Sequence, residues 1–125
     1  MERTESSFHD NVQVVTTILG EWEQCKNELD NHFRNRDSDK ALPLMKRALE
    51  LFEQFLVSSN SLSPDKYWIK DCKIKPVNVE ERLDFIISRP KLFHSYKQLA
   101  ELFAEQEKQF AKQTILFRTK NKRPD

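Results

Sequence analysis

A single glycine, Gly20, stands in a chain of 125 residues. Tight turns and phosphate-cradling loops depend on glycine's access to positive φ, so an all-β architecture and a nucleotide loop both fit poorly. Cysteine is nearly as scarce. Cys25 and Cys72 allow at most one internal disulfide and form no metal-ligand spacing. No apolar run comes near the roughly 20 residues of a membrane span, and the acidic, polar N-terminus does not look like a signal peptide. A cytoplasmic protein with reduced thiols and no membrane association is the expectation.

What is present suits amphipathic helices. Charged residues make up 33% and hydrophobic ones 38%, too apolar for disorder and sufficient for one core. The net charge of +1 hides an asymmetry: residues 1–30 sum to −5 and residues 108–125 to +5. Either the two ends attract each other or are simply solvated, or the basic end serves an acidic partner.

The periodicity predicts a first helix from Asp10 or Asn11, with Val15, Ile18, Trp22, Cys25, Leu29 and His32 on one stripe and Gly20 marking a close approach or a kink. After a break at Asn35–Ser38, a second helix capped by Asp37 or Ser38 carries Leu42, Met45, Leu49, Phe52 and Leu56, with Pro43 near its first turn. Ser63-Pro64-Asp65 signals a short helix to about Asp71, and Lys73 to Val77 reads as extended. Asn78 with Glu81 forms the Asx version of a capping box, starting a helix to Ser88 that buries Val79, Leu83, Ile86 and Ile87. Beyond Pro90 a last helix runs to about Arg118, its apolar rhythm ending at Phe117 and interrupted by Gln106 and Gln113. The expectation is an all-α fold: a single helical-bundle domain over 10–118 built from three long helices and shorter ones. Residues 1–9 form a frayed N-terminus, and 119–125 a flexible basic tail.

No catalytic constellation emerges. Cys25, Glu28 and His32 share a helix face, but Cys25 and His32 also continue the apolar stripe and lack the second helix a metal centre requires. Cys72 lies among Lys66, Lys70, Lys73 and Lys75, which would favour thiolate, with no orienting base in view. Neither catalytic residues nor a metal or cofactor is expected.

Two stretches are candidate binding surfaces. Lys66, Tyr67, Trp68, Lys70, Lys73 and Lys75 interleave cations with aromatics, as single-strand nucleic-acid binders do. The plainer reading has Trp68 plugging the bundle while the lysines face water. Arg89 and His94, with Arg82 nearby, flank the start of the last helix, where free N–H groups suit an anion. Here the plainer reading is an interhelical turn, with Arg89 meeting the preceding helix's C-terminal carbonyls.

Lys75-Pro76, Asn78-Val79-Glu80-Glu81-Arg82-Leu83, then Arg89-Pro90, His94-Ser95-Tyr96 and Gln98-Leu99 resemble the YpoC-like family of Firmicutes. The resemblance covers the C-terminal half. It implies a small cytoplasmic α-helical protein with no catalytic residues to carry over, encoded near replication-initiation and base-excision-repair genes. Together these readings predict a non-enzymatic interaction module or adaptor with a protein partner, as a monomer or homodimer. The alternative is an accessory nucleic-acid-binding protein using the 66–75 lysines, Trp68 and the tail from Arg118 to Arg123.

Overall fold

The computed structural model describes the backbone of residues 2–63 and 69–121, and the side chains of residues 11–63 and 69–116. Among the described residues four α-helices follow one another: α1 (Glu2–Arg34), α2 (Ser38–Ser59), α3 (Val79–Ser88) and α4 (Phe93–Asn121), with a 3-10 turn at Ile69–Asp71. Among the described residues there is no strand. The candidate residues Lys66, Tyr67 and Trp68, and the helix start at Pro64 and Asp65, lie outside them, as do residues 122–125.

The stripe on α1 is buried as its spacing requires, from Val15 through Ile18, Trp22 and Cys25 to Leu29. The helix begins eight residues before the expected Asp10, at Glu2. Nothing between breaks it: the stretch holds no proline or glycine, and Glu2 and Glu5 suit a helix N-terminus. Gly20 is exposed, and a Cβ there would meet nothing within 4 Å, so it marks no close approach, and α1 continues through it. A short turn returns the chain into α2, whose N-cap is Asp37, its side chain accepting the Lys40 N–H. Pro43 sits in the second turn, where it removes the bond to the Asp39 carbonyl.

Ring pairs set the packing. Trp22 stacks on Phe103 at 4.1 Å between centroids, and Phe103 also meets Phe52 and Phe55. Near the α1 C-terminus Tyr96 donates to Asp30 and stacks on Phe33. These pairings run α4 antiparallel to α1 and parallel to α2. They also bring the acidic start of α1 and the basic end of α4 to one end of the bundle. Lys91 reaches Asp39 at 2.8 Å at the opposite end.

The parallel course of α2 and α4 requires a return between them, and α3, antiparallel to α4, supplies it, while the connector between α2 and α3 leaves and comes back at one level. Side-chain amides hold this connector down. Asn60 pairs both ways with Ile74, accepting its N–H and donating to its carbonyl, each at 2.9 Å. Gln106 also donates to the Ile74 carbonyl, and Gln109 donates to that of Lys75. Gln106, on the apolar phase of α4, is therefore fully buried but polar for a reason.

The expected capping box does not form. Asn78 adopts the left-handed conformation (φ 54°) and makes no side-chain cap bond, its short side chain tolerating positive φ where the connector turns into α3. On α3, Val79 and Ile86 are buried and Leu83 is half-buried, but Ile87 is 60% exposed. Adjacent helix positions lie about 100° apart, so with Val79, Leu83 and Ile86 turned inward Ile87 falls at the edge of the stripe.

Candidate functional site

The flanks of α3 have different neighbours. Toward α4, Arg82 donates to Glu105 through both terminal nitrogens (2.9 and 2.7 Å), to Gln98 and to the Val77 carbonyl. The guanidinium holds the Glu105 carboxyl below its ordinary range, and the carboxylate in turn raises Arg82. Arg89 lies over the Phe85 ring at 5.0 Å, and His94 meets the same ring edge-on. Arg82 is thus engaged by Glu105, whereas Arg89 and His94 share the Phe85 ring. The guanidinium of Arg89 packs on Phe85, while its backbone N–H caps the Phe85 and Ile86 carbonyls.

The lysine segment is likewise divided. Lys70 and Lys73 are exposed, whereas Lys75 donates to the Ile69 carbonyl within the connector. Cys72 is buried, and burial pushes its thiol above the ordinary value despite Lys75 lowering it. The thiolate expected from the lysine run is therefore disfavoured, because loss of hydration outweighs the nearby positive charge. Cys25 is also buried, points its thiol at the Leu44 carbonyl and is pushed up to about 11. Both cysteines are poor nucleophiles in the folded chain.

The other flank of α3 faces a cleft. Both α3 and α2 pack on α4, and the gap between their facing sides has a volume of about 340 Å³. Its apolar surface comes from Leu49 on α2, Ile69 in the connector, and Leu83 and Ile87 on α3, over a fully buried Phe52. Glu50 and Glu53 line it from α2, Glu80 and Asp84 from α3. Helical spacing explains the arrangement: on each helix the apolar and acidic groups are one turn or less apart at the edge of the core-facing stripe. Glu50 shares Arg47 with Glu21, but Glu53, Glu80 and Asp84 form no ion pair with any described residue.

None of the cleft residues belongs to the candidates read from sequence. Its walls are thirty residues apart in the chain, and each alone reads as an ordinary helix edge. One signal was available: Ile86-Ile87 places two β-branched apolar side chains on diverging faces, and the second shares its face with Glu80 and Asp84.

A family model described as YpoC-like protein matches residues 12–118. The match takes in α1 and α2 as well as the C-terminal half that carries the sequence resemblance. No curated protein and no solved structure matches the chain.

Proposed function

The chain belongs to the YpoC-like family, and on that premise we propose that it is a non-enzymatic, cytoplasmic interaction module that seats a protein partner in the α2–α3 cleft. The observation that carries this reading is Ile87, 60% exposed at the edge of a cleft it shares with Leu83 and Leu49. An exposed apolar surface with a polar rim is the ordinary form of a protein-contact site. Polar groups suited to chemistry are instead engaged in holding the fold: Arg82 on Glu105, Tyr96 on Asp30, both thiols buried. Among the described residues no helix is long and apolar enough to cross a membrane.

The test is affinity capture from extract with the tagged chain and with Ile87→Asp, each with and without nuclease. A protein retained after nuclease and lost with Ile87→Asp supports the reading. Equal retention by both chains overturns it. Exposed Lys70 and Lys73 favour a second reading, an accessory nucleic-acid binder. It requires affinity for DNA or RNA that falls steeply with salt.

A further inference from the structure

Resting on the assignment of the cleft to a protein partner, we infer that its occupant is an amphipathic helix with an apolar ridge flanked by lysine or arginine. Shape supplies the first reason. The cleft lies between two helices, its floor is apolar, and its walls run about one turn along α2 from Leu49 to Glu53 and about two along α3 from Glu80 to Ile87, mixing apolar and acidic residues. An added helix would lay anchors at i, i+3 or i+4, and i+7 along such a floor. Ile87 and Leu83 on α3 oppose Leu49 on α2, so the anchors would be gripped from both sides.

Charge supplies the second reason. Among the described residues four carboxylates line the cleft and no lysine or arginine does. The sequence neighbours Lys46 and Lys70 are exposed, and neither contributes to the lining. Glu80 has a local explanation, since an acid in the first turn of α3 suits the helix dipole. That account does not extend to Asp84, a turn later, or to Glu53 on α2. Like charges set around an apolar strip repel one another, and a partner's cations on either side of its apolar ridge would relieve that repulsion. An acidic helix or a nucleic-acid backbone would worsen it. Complementary charge would also speed encounter and make affinity salt-dependent.

The experiment uses the full chain and two synthetic helical peptides sharing one leucine ridge, one flanked by lysines and the other by glutamates. Binding is read by fluorescence anisotropy and its location by backbone amide shifts. The lysine peptide is expected to bind, shifting amides around Leu49, Glu53, Leu83 and Ile87, while the glutamate peptide binds at least about tenfold more weakly. Combining Glu53→Gln, Glu80→Gln and Asp84→Asn, all at exposed positions, should weaken the lysine peptide about tenfold and flatten its salt dependence. Equal binding of both peptides, or shifts mapping elsewhere, overturns the inference. So does failure of both peptides to bind when Ile87-dependent capture of a natural partner succeeds, and in that case the cleft assignment itself stands. Loss of Ile87 dependence in that capture removes the assignment instead.

Discussion

The side-chain amide of Gln106 donates to the Ser59 hydroxyl at 2.8 Å, joining α4 to the end of α2 in a fully buried setting. The Ser59 hydroxyl in turn donates to the Phe55 carbonyl, so the hydrogen-bond chain runs from α4 into the backbone of α2. The amide oxygen of Gln106 has no hydrogen-bond partner among the described residues.

That imbalance separates two substitutions. Gln106→Ala opens a cavity and removes the staples to Ser59 and Ile74, and should cost about 2–3 kcal/mol. Gln106→Leu keeps much of the volume and removes the orphaned oxygen, while Asn60 still serves the Ile74 carbonyl. It should fall within about 1 kcal/mol of the parent. Urea denaturation of both variants measures the difference.

Arg82 is the main polar link between α3 and α4. Arg82→Ala should cost about 1–2 kcal/mol, a modest figure because the Glu105 side chain is 40% exposed and screened by water. The Glu105 carboxyl is held below its ordinary 4.5, so its contribution is fully present above that pH. It is lost as pH falls through the lower, folded value. In acid titrations followed by circular dichroism, Glu105→Gln should flatten that part of the profile.

At pH 8 about one molecule in a thousand would carry the Cys25 thiolate, given a folded value of about 11. Alkylation of the native chain should therefore be slow at both cysteines and fast at both in urea, as mass spectrometry would show. Because burial favours the neutral thiol, Cys25 contributes stability that is complete below pH 9.0 and declines as pH rises toward 11.

Gly20→Ala should stabilise the chain by about 0.5–1 kcal/mol. The position is helical, exposed and open, so the alanine methyl meets nothing while the unfolded chain loses freedom. A rise in thermal midpoint checks it.

The elements were largely readable from sequence because each is governed by its own periodicity. The α1 stripe from Val15 to Leu29 and the wide apolar face of α2 declared both helix and burial, and Arg89-Pro90 marked the break before α4. What escaped depends on neighbours far along the chain. Asn78 carries the signature of a cap, but the connector's approach turns its backbone left-handed. The lysines around Cys72 suggest a thiolate, yet packing under them removes the water that thiolate needs. The cleft was invisible because a helix pattern tells which residues share a face and not which face lacks a neighbour. Only the placement of α3 beside α4 leaves Leu83 and Ile87 across from Leu49.

The parallel course of α2 and α4 also orders events in time. α1 and α2 are joined by a short turn and can close on each other with local contacts alone. α4 must find partners far upstream, as with Tyr96 and Asp30, 66 residues apart. Chain-closure entropy therefore favours a hairpin that forms first and an α4 that docks late. Substitutions within the hairpin, such as Leu29→Ala, should chiefly slow refolding. Those in the amide clasp at Asn60 or Gln106 should leave refolding almost unchanged and speed unfolding, and stopped-flow chevrons would tell the two apart.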